Sequence, residues 1–141
     1  MGKINVGRLI LGGVVAGIVA DILDYPVDGI WLGKMWSNQL GVLGKSEFTG
    51  HQILLFMLTG ILIGIVSIWI YAAIRPPFGP GVKTAIYAGI VVWIASTLLP
   101  NFALMWVTQF FNGHLTAYTS LGAFFELVIG TIAGAALYKE D

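Results

Sequence analysis

Four long apolar stretches follow one another along the chain, separated by segments rich in polar residues, glycine and proline. They cover residues 9–32, 53–74, 82–110 and 118–137. Each can cross the hydrocarbon of a bilayer, which is about 30 Å thick, because an α-helix rises about 1.5 Å per residue. The pattern predicts an all-α fold, an up-down bundle of four transmembrane helices forming one domain over residues 1–141.

The connections between the stretches differ in length and composition. The second connection is short and reads Arg75-Pro76-Pro77-Phe78-Gly79-Pro80-Gly81. Proline lacks a backbone donor and glycine permits positive φ, so we expect neither flanking helix to continue through this rigid hairpin. The first connection, residues 33–50, is longer and mixes aromatic with polar side chains. That mixture fits either a short amphipathic segment lying in the membrane interface or an irregular loop with interfacial aromatics.

Composition also places the chain in a bilayer. Hydrophobic residues make up 57% of its 141 residues and charged residues 10%, against about 45–50% and about 25% in soluble domains. The lack of cysteine excludes disulfide scaffolds, thiolate zinc sites and cysteine nucleophiles. No haem or nucleotide motif identifies a cofactor, and seven basic against seven acidic residues give nucleic acid no electrostatic attraction.

The basic residues are divided unequally between the two sides that the four spans define. The side of both termini carries five of them, and the opposite side carries only Lys34 and Lys45. Loops rich in Lys and Arg stay in the cytoplasm, so the count predicts cytoplasmic termini in a bacterial inner membrane, with the first connection in the periplasm. The first span also resembles a signal peptide, and we expect it to be retained as a helix.

Small residues recur four positions apart in every predicted span. This spacing lets membrane helices approach closely, because lipid supplies no hydrophobic drive between them. The pairs fall in the central or cytoplasmic part of each helix and predict tight packing there, within the chain or between copies of it. They are Gly13 and Gly17, Gly60 and Gly64, Ala85 and Gly89, and Gly130 and Gly134.

Acidic residues extend two of these small-residue stripes. At about 100° per residue, the first helix places Asp21, Asp24 and Asp28 on the face of its glycines. Glu126 lies on the glycine face of the last helix. The predicted depth brings Asp21, Asp24 and Glu126 together in the outer half, whereas Asp28 is expected to be a solvated residue at the end of its helix.

Other polar residues are expected at the same depth. Gln52, Ser96 and Asn101 face inward in the outer half, and Pro100 interrupts the backbone bonds of the third span. A bundle held tight by glycines inside and kinked at Pro100 should open outward. We therefore expect a polar cavity in the outer half of the bundle.

An ionised carboxylate near the bilayer centre costs about 2.5–3.5 kcal/mol. We therefore expect one of two roles for Asp21, Asp24 and Glu126. They form a proton or cation site open to the outside, or they are protonated acids that hydrogen-bond between helices. The candidate residues beside them in such a site are Gln52, Ser96 and Asn101. For a metal, the candidates are His51 and Asp28, but no spacing typical of metal ligands accompanies them. The sequence therefore predicts no metal site.

Two stretches resemble segments of small bacterial integral membrane proteins of unknown function. One reads Asp24-Tyr25-Pro26-Val27-Asp28 and leads to Gly33-Lys34-Met35-Trp36; the other covers residues 71–84. In those proteins a Tyr-x-Pro or similar turn ends the first helix, and a Gly-Lys-x-Trp segment precedes the second. The resemblance implies a four-helix fold and gives no activity. Small multidrug exporters also place an acid in the first helix, but they are shorter and lack the long first loop and Glu126.

These observations predict a non-catalytic accessory or scaffolding subunit, with lipids and other membrane subunits or copies of itself as partners. The alternative is a small carrier or binder of a cation, a proton-coupled solute or an apolar ligand. An enzyme is disfavoured because no nucleophile and base occur in a recognisable arrangement.

Overall fold

This computed structural model describes residues 3–139 of the chain. These residues contain four long apolar helices and one short helix, joined by loops, and no strand. The first and last two residues, which the one-domain prediction includes, lie outside the described residues. The all-α prediction is confirmed. The helices are α1 (Val6–Trp31), α2 (Gly33–Gly41), α3 (Gly50–Phe78), α4 (Val82–Trp106) and α5 (Gly113–Ala135).

Side-chain caps fix where three of the long helices begin. The Asn5 side chain accepts a hydrogen bond from the Arg8 N–H at the start of α1, and the Asn112 side chain accepts one from the Leu115 N–H at the start of α5. Thr49 and Gln52 form a reciprocal capping box at the start of α3. Because Asn112 supplies a cap, α5 begins at residue 113, earlier than the apolar pattern alone predicts.

As expected, neither helix beside the proline-rich connection continues through it, but α3 extends into the connection beyond residue 74, where its apolar stretch ends. This helix continues through Pro76 and Pro77 to Phe78. Proline's φ is compatible with a helix, and the helix ends within a turn of these prolines, so few backbone bonds depend on their missing donors. The reversal is confined to residues 79–81, where Gly79 and Gly81 have φ values of 79° and 123°.

The first connection contains a helix, α2, that joins other segments at its end of the bundle. Trp36 makes edge-to-face ring contacts with Phe48 and Phe111, whose centroids lie 5.8 and 5.4 Å away. The Gln39 amide donates to the carbonyl of Phe110, in the connection that follows α4. We call this the α2 end of the bundle and the opposite end, where α1 begins and α5 finishes, the termini end.

The four long helices pack in a ring. Helix α1 packs against α3 and α5, and α4 packs against the same two helices from the other side. The buried hydrophobic cluster includes Leu9, Ile68, Tyr71 and Tyr138, which places it toward the termini end.

Glycines and other small residues lie where the helix backbones approach most closely. A Cβ added to Gly17 of α1 would meet the backbone of Ile61 and lie 2.8 Å from the Gly60 carbonyl oxygen on α3. Gly130 of α5 meets α1 in the same way, since its Cβ would lie 2.5 Å from the Ala16 carbonyl oxygen. Gly13, Gly64 and Gly134 lie against backbone atoms of neighbouring helices, Gly89 lies against Val128, and Ala85 is buried.

Helix α3 is packed less closely at the α2 end than at the termini end. Every residue from Ile53 to Thr59 is exposed, on all sides of the helix. Contact between α1 and α3 includes the level of Asp21 and Gly60, where an Asp21 carboxylate oxygen fills the space that a Gly60 side chain would need. Closer to the α2 end, Val27 of α1 lies against Gly122 of α5.

Candidate functional site

Two prolines widen the helices in the half of the bundle near the α2 end. Residues Tyr25–Trp31 of α1, which include Pro26, and Ile94–Leu98 of α4, just before Pro100, form π-helical turns. A proline ring lacks a donor and crowds the preceding turn, and a wider turn accommodates both effects. The altered pairing is seen in the bond from the Leu32 N–H to the Val27 carbonyl, 2.8 Å long.

Three acids come together beside the first π turn. Asp24 and Asp28 of α1 and Glu126 of α5 each place a carboxylate oxygen within 4.8 Å of the other two. Gly122, one turn before Glu126, makes this approach possible, because a Cβ there would lie 2.7 Å from a methyl carbon of Val27. We call these three residues the acid cluster.

Glu126 is the most enclosed member of the acid cluster, with 6% of its surface exposed. Its Oε1 atom is buried and has no hydrogen-bond partner among the described residues. Asp28 has a partner, since the Trp36 indole N–H donates to its Oδ1 over 2.8 Å. Because Trp36 also contacts Phe48 and Phe111, α2 holds one carboxylate of the cluster through a packed aromatic side chain.

The acids that the sequence places in one region lie in two places in the structure. Asp21 lies against Gly60 of α3 and is not one of the three clustered acids. Asp28, expected at a solvated end, is half-buried within the cluster. Asp28 lies within the π turn of α1, where a wider turn changes its direction relative to a regular helix.

The predicted polar partners serve other contacts. Gln52 belongs to the cap of α3, and Ser96 lies 3.5 Å from the Thr97 hydroxyl. Asn101 is buried and donates to Thr119 over 3.2 Å and to Ser120 over 3.0 Å, which joins α4 to α5. None of these three residues belongs to the acid cluster.

Two surface cavities lie away from the acid cluster. A groove of about 300 Å³ between α3 and α4 is almost wholly apolar and has Thr59 and Ser96 at its polar edge. A second cavity, of about 370 Å³, lies at the α2 end and includes His114 and Tyr118 in its lining. Neither is lined by an acid of the cluster, whose members come from α1 and α5.

The two histidines are also separate from the acids. His51 is exposed at the start of α3, and His114 is exposed in the first turn of α5, with its ring 6.4 Å from that of Tyr118. Neither is in the group of described residues that could hold a metal ion. Any ion at the acid cluster would therefore meet oxygen ligands, which suit hard cations.

No basic residue of the long helices lies near the level of the acid cluster. Arg8, Arg75 and Lys83 are the only Lys and Arg residues in α1, α3, α4 and α5, and each lies in a turn at the termini end. Three neighbouring carboxyl groups consequently need protons or a cation to offset their mutual repulsion. In the sequence, the signal for this cluster is Pro26, which lies between Asp24 and Asp28. The contact of Trp36 with Asp28 is not predicted by the sequence.

No protein-family model, curated protein or solved structure matches this chain. The fold itself defines a class, because four helices have the length and composition to cross a membrane. The chain is thus an all-helical protein of the multi-pass membrane type, with three acids gathered between its first and last long helices.

Proposed function

We propose that this protein is a small membrane carrier or binder of a cation, and that the cation binds at the acid cluster. The observation that supports the proposal is the convergence of Asp24, Asp28 and Glu126 from two helices. Each ionised carboxylate within a membrane costs about 2.5–3.5 kcal/mol, so three ionised carboxylates together are unfavourable unless their charge is offset. A bound cation would offset both their desolvation and their repulsion.

Loss of uptake in a Glu126→Gln variant tests this function. The variant keeps the size of the side chain and removes its ability to carry negative charge. Protein reconstituted alone in lipid vesicles, with gradients of Ca²⁺, Mn²⁺, Na⁺ or K⁺, should take up at least one of these ions. We expect Glu126→Gln to lower that uptake at least about tenfold, in line with the loss of a charged ligand.

Glu47→Gln is the control for that experiment, because Glu47 is an exposed acid in the loop before α3. It removes the same charge and should leave uptake unchanged. Equal uptake by the wild type and Glu126→Gln would contradict a role of the cluster. Absence of uptake and of binding for every tested ion would refute the proposed function.

A second candidate function is an accessory or scaffolding subunit of a membrane complex or homo-oligomer. The segment from Ile53 to Thr59 favours it, because its largely apolar side chains are exposed on all sides of α3. The vesicle experiment separates the two candidates. An accessory subunit reconstituted alone would be inactive and, if it forms homo-oligomers, would show a multiple of the chain mass in mild detergent.

The proposal includes an orientation in which both termini lie in the cytoplasm of a bacterium and the acid cluster lies in the periplasmic half of its inner membrane. The basic residues support it, since five belong to the side of the termini and only Lys34 and Lys45 to the other. The resemblance of residues 24–36 and 71–84 to small bacterial four-helix membrane proteins agrees with this location.

Labelling of single cysteines tests the orientation, because the natural chain has none. Ser46→Cys places a thiol in the exposed loop before α3, and Pro80→Cys places one in the exposed turn after it. In intact cells, a maleimide that cannot cross the inner membrane should label Ser46→Cys, whereas Pro80→Cys should react only after lysis. The reverse pattern would overturn the orientation.

A further inference from the structure

The acid cluster has the ligand type and spacing that a large divalent cation requires. We propose that it binds a divalent ion of calcium size, with Asp24, Asp28 and Glu126 as ligands. This inference rests on the proposed function and names its ion. It concerns the clustered carboxylates alone, not either of the two surface cavities.

The spacing of the oxygen atoms suits calcium. The three carboxylate oxygens lie within 4.8 Å of one another, so an ion between them can contact all three. Ca²⁺ accepts oxygen ligands at about 2.3–2.6 Å in a flexible geometry, whereas Mg²⁺ demands a near-ideal octahedron at about 2.0–2.1 Å. Mg²⁺ also keeps several waters, which the packed interface between α1 and α5 disfavours.

Charge and ligand chemistry disfavour monovalent ions and zinc. Three carboxylates carry more negative charge than a monovalent ion can offset, and a divalent ion leaves a smaller excess. Zn²⁺ prefers cysteine and histidine ligands, but the chain has no cysteine, and His51 and His114 lie outside the cluster. Oxygen ligands alone favour a hard cation.

The second observation that points to a ligand is the orphaned oxygen of Glu126. This side chain comes from α5, not from the helix that carries the two aspartates, and only 6% of it is exposed. Its Oε1 has no hydrogen-bond partner among the described residues, although buried polar atoms nearly always have one. An ion held with Asp24 and Asp28 would supply the missing partner.

Trp36 is the positioning residue of this site. Its indole N–H donates to Oδ1 of Asp28 at 2.8 Å and so fixes the orientation of that carboxylate beside Asp24 and Glu126. Carboxylates that bind metals are commonly oriented by such a hydrogen bond from behind. The ring of Trp36 is held in turn by Phe48 and Phe111, so the orientation of Asp28 depends on α2 being in place.

Calorimetric titration of the intact protein in mild detergent, after removal of metal by EDTA, tests the proposal. Ca²⁺ should bind with a Kd of about 10⁻⁵ to 10⁻³ M, and Mg²⁺ at least about tenfold more weakly. Glu126→Gln and Asp24→Asn should weaken Ca²⁺ binding at least about 100-fold, whereas Trp36→Phe, which keeps the ligands and the ring packing, should weaken it about tenfold. Glu47→Gln should leave the Kd unchanged.

A thermal measurement keeps the test valid if a variant folds poorly. A ligand that binds only the folded protein raises its Tm, so Ca²⁺ should raise the Tm of the wild type and of Glu47→Gln but not that of Glu126→Gln. Unchanged Ca²⁺ affinity in Glu126→Gln would overturn the assigned site. Uptake of Na⁺ or K⁺ that depends on Glu126, without binding of Ca²⁺, would overturn the identity of the ion and leave the proposed function standing.

Discussion

Replacing Gly17 by alanine is expected to lower the free energy of unfolding by about 3 kcal/mol, the upper part of the usual range for overpacking. The added methyl group would meet the Ile61 backbone of α3 and lie 2.8 Å from the Gly60 carbonyl oxygen. Backbone atoms cannot rotate away as a flexible side chain can, so α1 and α3 must separate. Lipid then fills the gap without restoring the lost contacts, because membrane helices associate through close packing.

Chemical unfolding in detergent measures this effect, and Gly7→Ala is the matched control on the same helix. A Cβ at Gly7 would have only an ordinary contact with the Asn5 side chain, at 3.6 Å. Alanine favours a helix over glycine by up to about 1 kcal/mol, so this variant should be as stable as the wild type or more so. If Gly17→Ala and Gly7→Ala unfold at the same denaturant concentration, the close contact between α1 and α3 is not what holds them together.

The sequence predicts which face of a helix is packed, but not which residues of the neighbouring helix lie against that face. The spacing of Gly13 and Gly17 identifies the face of α1, because helix geometry alone decides which residues share a face. It does not identify the partner, since the opposing Ile61 and Ile65 are set by how α1 and α3 slide past each other. Gly12 meets α5, since an added Cβ would lie 2.6 Å from the Gly134 carbonyl oxygen. Gly12 and Ala16 are also four residues apart, but they are not among the predicted pairs.

The sequence predicts that acids of α1 lie near Glu126, but it does not predict which acids of α1 these are. A regular helix places Asp21, Asp24 and Asp28 in one arc, yet an inward arc of α1 borders two helices, α3 and α5. Asp21 meets Gly60 of α3, and the π turn that accommodates Pro26 directs Asp28 toward Glu126. The sequence contains the proline, but the change in direction appears only once the widened turn and the packing of α5 are known.

Replacing Glu126 by leucine is expected to stabilise the ion-free protein by about 1–3 kcal/mol, the free energy lost when a buried polar atom has no partner. The Oε1 atom of Glu126 is such an atom, and the two neighbouring aspartates add repulsion. Leucine has a similar size and no polar atom to satisfy, so it suits the same position between α1 and α5. The measurement is the free energy of unfolding of both proteins in EDTA.

Asn101→Leu is the matched control, because Asn101 is also buried but donates hydrogen bonds to Thr119 and Ser120. Its replacement breaks bonds between α4 and α5 and should destabilise the protein by about 1–3 kcal/mol. If Glu126 only joined helices by hydrogen bonds, both variants would lose stability together, which would refute a binding role. Opposite signs would indicate that Glu126 is retained at the expense of stability, as residues of binding sites commonly are. The same Glu126→Leu protein should then show no Ca²⁺-dependent rise in Tm.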